Sequence, residues 1–471
     1  MDFFIFLLVF NDKIIIGDTM EINKNVFREY DIRGVYPTDI NEEFAYTFGK
    51  AFGSYIRKKG KTECVIGHDN RLSSDSLYNN LIQGILESGV DLVSLGLCTT
   101  PMYYFACIKL GISPGVMVTA SHNPKDDNGF KFAFDEKGNA KGDEIQEFMK
   151  FMLEGEFLTG FGKMRAYDIK EEYYEYLLDY IEVDRKLKVV IDAGNGTTSE
   201  FAKELFGRLD IELVPLFCES DPTFPNHHPD PAVEENLEAL KKKVVEEKAD
   251  VGIAFDGDGD RIGVVDEKGN YISADKFMII VSRYLIPISN NKKILYDVKC
   301  SKALTDEISK LKGIPVISRT GNSYTKANTK AFDCIFGGEY SGHVYFRDKF
   351  MGFDSAMYAG LRLLEILSKT GKAVSVLLEG INEYYSTPEI KIPCSDDKKK
   401  KVVKEIEYYL RDNKCRVVDV DGIRCEYSDG WGLVRCSNTG PNLTVRFEGR
   451  TIEARDRIQK EFMELIEKYN K

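Results

Sequence analysis

Short apolar runs that end in glycine, asparagine or aspartate and lead into helix-spaced segments recur three times along the chain. Cys64-Val65-Ile66-Gly67-His68-Asp69 precedes a helical segment from Ser73 to about Ser88. Val189-Val190-Ile191-Asp192-Ala193-Gly194-Asn195-Gly196 precedes a helix reaching about Arg208 and a strand at Glu212 to Leu216. Ile294-Leu295-Tyr296-Asp297-Val298 precedes a helix over Ser301 to Leu311 and a strand at Pro315 to Ser318. Strand, polar loop, helix and strand make an α/β unit. Three copies predict three related mixed α/β domains. Ligands of such sheets gather at the carboxyl ends of the strands, so the loops after these runs are expected to be site walls. From about Thr387 the pattern changes. A lysine-rich helix over Asp397 to Arg411 is followed by short strands near Arg416 to Val420, Gly422 to Tyr427, Gly432 to Cys436 and Leu443 to Glu448, then a helix from Glu453 to about Tyr469. That tail reads as a separate α+β domain.

A length of 471 residues suggests about three domains at roughly 150 residues each. The expected segments are 1–19 as an extension, then domains over 20–167, 168–270, 271–385 and 386–471, arranged around a central active-site cleft. Residues 3–10 are strongly apolar but too few to span a bilayer. They have no basic leader or small-residue cleavage site. Met20 is the expected natural start, the rival reading being an added strand or a sticky tail.

Hydrophobic content of 43% and charged content of 30% describe a globular chain, and a net charge of −12 argues against non-specific nucleic-acid binding, which needs a basic face. An anionic substrate is still allowed, provided its pocket is lined by placed Arg and Lys. The 10 cysteines are scattered without a CxxC pair, so reduced core thiols and a cytoplasmic location are expected. The run Asp396 to Lys401 reads as a solvated helix start, and His227 and His228 as loop residues.

Three segments carry chemistry that fits together. Ser121 lies between the strand-like run Val116-Met117-Val118 and the turn marker Asn123-Pro124. Alone it would be an ordinary turn hydroxyl. With His122 beside it and Lys131 following in Asn128-Gly129-Phe130-Lys131, it has the base and the cation that a phosphate-carrying nucleophile needs. Asp256, Asp258 and Asp260 alternate with glycine after the buried-strand pattern Val251 to Phe255, which lets three carboxylates converge on one hard cation such as Mg²⁺. A calcium loop of EF-hand type competes, with Glu267 at the twelfth position. It fails on Arg261 at the sixth, where that loop needs glycine. In Gly338-Glu339-Tyr340-Ser341-Gly342-His343, Glu339 and Ser341 suit vicinal hydroxyls. In Arg435-Cys436-Ser437-Asn438-Thr439-Gly440-Pro441, a guanidinium fork and a polar turn suit a phosphate.

In this order the segments resemble the phosphohexomutase family, and within it the phosphomannomutase/phosphoglucomutase branch. The resemblance runs from about Glu21 to the end. Thr119 to Pro124 with Asn128 to Lys131 is similar to the family's active-site loop, which implies that Ser121 is carried phosphorylated. Asp256 to Arg261 is similar to its metal loop. This implies one Mg²⁺ per subunit on Ser121, Asp256, Asp258 and Asp260, with Arg261 reaching the phosphoserine or substrate. The 338–343 segment is similar to its sugar loop (Glu339, Ser341, His343), and Gly430 to Arg435 through Glu448 to its phosphate loop (Arg435, Ser437, Asn438, Thr439). Arg28 to Gly34 is similar to its first motif, placing Tyr30 and Arg33 at the site, and Asp297-Val298-Lys299-Cys300 places Lys299 as a substrate lysine. One position departs: Asn322 stands where relatives carry a sugar-touching histidine, which bears on sugar preference.

The implied activity interconverts hexose 1-phosphate and hexose 6-phosphate through a hexose 1,6-bisphosphate. Lys131 and His343 are the acid/base candidates, and the protein would be a monomer or weak homo-oligomer without membrane partners. A phosphoglucosamine mutase and a metal-dependent phosphatase using Asp256 as nucleophile are the alternatives. A non-catalytic sugar-phosphate binder would need a broken nucleophile or metal loop.

Overall fold

The computed structural model describes residues 9–10, 13–16, 20–437 and 440–471. They form two compact units, one comprising the chain through Tyr271 with Phe353–Val374, the other Ile272–Gly352 with Ser375–Lys471. At the amino end, Val9–Phe10, Lys13–Ile16 and Met20–Asn23 pair as an antiparallel sheet. Among the described residues no helix is long and apolar enough to cross a membrane.

The three sequence repeats become three sheets of one design. In the first unit, Glu63–His68 pairs in parallel with Asp91–Leu97 on one side and Gly115–Val118 on the other. Gly115–Val118 then turns into an antiparallel hairpin with Asp127–Ala133. The second sheet repeats this: Lys188–Asp192 lies between Glu212–Leu216 and Val251–Phe255, which forms a hairpin with Ile262–Asp266. In the second unit, Lys293–Asp297 lies between Ile314–Ser318 and Phe336–Gly338, which forms a hairpin with Val344–Phe346. The serine, aspartate and glutamate motifs occupy the three hairpin loops. A fourth hairpin, Gly430–Cys436 with Asn442–Gly449 in the C-terminal sheet, carries the Arg435 turn.

Alternating apolar positions build the cores that hold these loops. Helix Glu42–Lys58 is capped by the Asn41 side chain, which accepts from the Phe44 amide. It presents Phe44, Phe48 and Phe52 at helical spacing. All three are buried, and Phe48 stacks on Phe130 at 4.7 Å between ring centroids. Burying each ring is worth about 1.5–3 kcal/mol. Gly49 and Gly84 allow this helix to meet Ser74–Glu87 backbone to backbone, because a Cβ on Gly84 would sit 2.2 Å from the Tyr46 carbonyl. Helix Ala356–Thr370 belongs to the first unit. Gly360 on it leaves room for the Ile253 and Phe206 side chains.

The cysteines depart from expectation at one place. Cys415 and Cys425 are disulfide-bonded, with Cα atoms 6.1 Å apart. Strands Arg416–Val418 and Ile423–Tyr427 are antiparallel, with Val417 opposite Cys425, so thiols ten positions apart become diagonal neighbours. The other cysteines form no disulfide among the described residues.

Candidate active site

Ser121 heads the hairpin loop after Gly115–Val118 in a left-handed backbone conformation, φ 53°, which few non-glycine residues adopt. Its amide donates to Thr119 Oγ1 at 2.8 Å, and its hydroxyl donates to Asp256 Oδ2 at 2.9 Å. His122 Nδ1 is 3.3 Å from the same hydroxyl. The serine hydroxyl and the carboxylate loop therefore meet within one unit, across two different hairpins.

Asp256, Asp258 and Asp260 are fully buried. Ligand atoms of the three lie within 4.8 Å of one another. Asp256 Oδ1 accepts the amides of Gly259, Asp260 and Arg261 at 3.0, 2.9 and 3.1 Å, so the loop is wound around its first carboxylate. Gly259, at φ 82°, supplies the turn. Burial, then the neighbouring Asp260 and Asp258, push the Asp256 carboxyl well up. A divalent cation would relieve that repulsion. Asp258 Oδ1 is buried and accepts no hydrogen bond among the described residues, as a cation ligand should. The donor set is all oxygen, which suits Mg²⁺. The other Asp258 oxygen accepts from Lys131 Nζ at 2.6 Å and from Thr100 Oγ1 at 2.6 Å. Lys131 also donates to Asp260 Oδ2 at 2.5 Å. Burial opposes the charge on Lys131, but Asp258 and Asp260 outweigh it and hold the ammonium well above its usual range.

Arg33 is 2.7 Å from Asp31 through Nε. Its Nη1 donates to the Ala120 carbonyl at 3.1 Å and to Asn123 Oδ1 at 2.7 Å, so it holds the serine loop. Tyr30 lies within its electrostatic reach. Arg261 extends between Asp256 at 3.9 Å and Asp230 at 3.8 Å.

The second unit gathers the remaining expected residues. Glu339 is buried. It accepts the Gly321 amide at 2.6 Å and the Thr325 hydroxyl at 2.8 Å on one oxygen, and its other oxygen is 2.9 Å from His343 Nδ1. Burial opposes its charge, but the His343 ring and these donors keep the carboxylate below its usual range. Ser341 Oγ lies 3.1 Å from the same His343 nitrogen. Asn322 opens helix Asn322–Ala331, and its carbonyl accepts from Tyr345 at 3.2 Å. Lys299 pairs with Glu389 at 3.0 Å, and Arg435 with Asp421 at 2.9 Å. The Ser437 amide donates to the Asn442 carbonyl at 2.9 Å. Asn438 and Thr439 lie outside the described residues.

Several partners escaped the sequence reading. Glu389 and Asp421 carry no motif of their own. Thr100 is visible in hindsight as part of a helix start, with Thr99 as cap and Pro101 just inside. Lys399, in the run read as solvated, donates to the Ser437 carbonyl at 2.8 Å and so ties the helix to the turn after Arg435. Arg71 sits in the loop after the first repeated strand, where the α/β rule places site walls.

Three hairpin-bearing α/β sheets, a C-terminal α+β sheet and a serine hydroxyl against buried carboxylates are the parts of an α/β phosphotransfer enzyme. The chain matches, in order, the phosphoglucomutase/phosphomannomutase alpha/beta/alpha domain I over residues 24–158, domain II over 171–269, domain III over 273–384 and the C-terminal domain over 389–465. It is 40% identical to a phosphomannomutase/phosphoglucomutase of Pseudomonas syringae pv. tomato, over 92% of this chain and 93% of that one. It is 37% identical to a phosphoglucomutase of Neisseria meningitidis serogroup A, over 95% and 97%. A crystal structure of a phosphoglucomutase/phosphomannomutase family protein from Burkholderia thailandensis superposes with a TM-score of 0.88 at 38% identity, covering 95% of this chain and 98% of that one. The chain belongs to the phosphoglucomutase/phosphomannomutase family and is an isomerase of the phosphohexomutase type.

Proposed function

We propose that this phosphohexomutase interconverts hexose 1-phosphate and hexose 6-phosphate of mannose, glucose or both, with Ser121 as the phosphoryl carrier. The observation that carries this reading is the Ser121 hydroxyl, presented on a left-handed turn 2.9 Å from the buried Asp256 carboxylate. The sugars are those in the printed names of relatives about 40% identical over most of the chain.

Asp256, Asp258, Asp260 and Ser121 Oγ would hold Mg²⁺, which supplies charge neutralisation to the transferring phosphoryl group. In the first half-reaction the bond from phosphorus to Ser121 Oγ breaks while one forms to the free sugar hydroxyl. The hydroxyl proton passes to a base and the serine oxygen takes a proton in return, leaving hexose 1,6-bisphosphate. In the second half the other phosphate returns to Ser121 by the reverse movements. His343 and Lys131 are the side chains proposed for the proton, Lys131 as a donor because Asp258 and Asp260 keep it charged. Arg435, Ser437, Asn438 and Thr439 are proposed to clamp the phosphate that stays, and Glu339, Ser341, Lys299 and Asn322 to hold the sugar. Tyr30, Arg33 and Arg261 would support the phosphoserine side. Such chemistry asks for alignment and charge more than for covalent work.

Intact-mass analysis should find one phosphate on the purified protein, mapped to Ser121. Ser121→Ala should lose that mass and at least about 1,000-fold in mutase turnover, in line with removal of a nucleophile. Undiminished turnover in that variant would end the reading. Release of free phosphate as the product would favour a phosphatase. A clear preference for glucosamine phosphates over mannose and glucose phosphates would move the assignment to a phosphoglucosamine mutase.

A further inference from the structure

We propose that Arg71 is a positioning residue for phosphoryl transfer, locking the loop that presents Ser121 in its strained conformation. The inference rests on the reading of Ser121 as phosphoryl carrier and adds a residue to it. Ser121 is held at φ 53°. A non-glycine residue stays there only where its surroundings over-determine it. Arg71 provides that constraint. It is nearly inaccessible to solvent, with 3% of its surface exposed. Its Nη2 donates to the carbonyls of Ser121 and Asn123, both at 2.7 Å. Its Nη1 donates to the carbonyls of Pro124 at 2.6 Å and Asp127 at 3.0 Å. One flat guanidinium thus gathers four carbonyls of the turn, including that of the nucleophile itself.

The guanidinium is in turn fixed. Nε lies 3.2 Å from Asp69 Oδ2, and the Arg71 amide donates to Asp69 Oδ1 at 3.0 Å. Asp69 directly follows strand Glu63–His68, and its amide donates to the Val118 carbonyl at 3.0 Å. A rigid strand end therefore sets Asp69, Asp69 sets Arg71, and Arg71 sets the loop. No side chain but arginine offers a planar fork to four carbonyls at once. Lysine has a single tetrahedral head. Arg71 touches the backbone of Ser121 and not its hydroxyl, so it acts through geometry. A displacement of about 1 Å at a reacting atom can cost about 100-fold in rate.

The test compares Arg71→Gln and Arg71→Lys with the wild type and with Ser121→Ala, using mannose and glucose phosphates with Mg²⁺ and hexose 1,6-bisphosphate. Arg71→Gln should lower kcat by about 100-fold while KM for the sugar phosphate stays within about threefold. Single-turnover mass measurement should show Ser121 taking up phosphate from the bisphosphate more slowly by a similar factor. Free guanidinium ion at tens of millimolar should restore part of the rate in Arg71→Gln and none in Ser121→Ala. A residue that serves only the fold would show neither that kcat-against-KM split nor the rescue. If Arg71→Gln does not fold, Arg71→Lys carries the test, with a smaller loss in kcat and the same slow phosphorylation. A folded variant with wild-type kcat, or a loss confined to KM, overturns the proposal. Full activity in Ser121→Ala would instead strike the underlying reading, whatever the Arg71 variants do.

Discussion

Asp258 shows how one carboxylate is prepared for two tasks. One oxygen is buried without a hydrogen bond among the described residues, while the other is occupied by Lys131 and Thr100. Thr100 holds Asp258 twice, since its amide also donates to the Asp258 carbonyl at 2.9 Å. The hydroxyl fixes the carboxylate's rotamer and leaves the other oxygen open toward the proposed cation position. Partners of this kind are typically worth 10–100-fold in metal affinity. Thr100→Val keeps the shape and the backbone bond but removes the hydroxyl. The constant for Mg²⁺ activation should rise by at least about tenfold, with a stability loss of only about 1–2 kcal/mol. Mg²⁺ titrations of turnover, alongside thermal melts, read both quantities. An unchanged Mg²⁺ constant would show that Asp258 is oriented without Thr100.

Between residues and domains, the strand-end aspartate recurs as a device. Asp69 secures Arg71, Asp192 secures His227, and Asp297 accepts the Tyr340 amide of the Gly338–His343 loop at 3.2 Å and the Thr320 hydroxyl at 3.1 Å. Each aspartate ends or directly follows the strand that runs parallel to both its neighbours, beside the hairpin that carries a motif. In the second sheet, both Asp192 oxygens lie 3.1 Å from His227 Nε2, and His227 Nδ1 faces the His228 carbonyl at 2.9 Å. Two acceptors on two ring nitrogens call for an imidazolium. Burial lowers its proton affinity, but the Asp192 carboxylate raises it more, and the net shift is upward. A raised histidine contributes stability that is fully present below its unfolded value, about 6.5, and is lost as pH rises through the folded value. His227→Gln should therefore cost about 1.5–3 kcal/mol at pH 6 and progressively less at higher pH. Urea unfolding at several pH values measures the difference, and a cost independent of pH would refute the charged pair. The strands and helices of these repeats were legible because an apolar run, a Gly/Asp stop and a helix spacing are local signals. The hairpin loops were legible because their glycines and charges stand out from that background. The restraints were not. Thr100 meets Asp258 from 158 positions away, and His227 meets Asp192 from 35. Helix Ala356–Thr370 lies in the first unit although it follows Gly338–His343 in sequence. Nothing in a local pattern encodes a partner that only the folded sheet order supplies.

At the scale of the whole chain, the expected cation ligands all fall in one compact unit and the single tryptophan in the other. Ser121, Asp256, Asp258 and Asp260 lie in the first unit, while Trp431 lies in the second. Trp431 is buried, donates to Glu448 at 2.7 Å, and has the Arg424 guanidinium 4.0 Å from its ring centroid, so its emission reports unfolding of the C-terminal sheet. An ion that binds only the native state stabilises it by mass action, about 2.7 kcal/mol at 100 times its dissociation constant. Mg²⁺ added without substrate should therefore slow hydrogen exchange in peptides spanning Thr119–Pro124 and Asp256–Arg261 by up to about 100-fold, and chelation should reverse it. Exchange around Gly338–His343 and the Trp431 unfolding midpoint should stay where they were. Protection of both units together, with a shifted Trp431 midpoint, would mean that they open as one cooperative body. Protection of neither would mean that the aspartate trio does not hold the ion until a phosphate on Ser121 adds its own oxygens, and the same experiment on the phosphorylated and dephosphorylated protein separates those two cases.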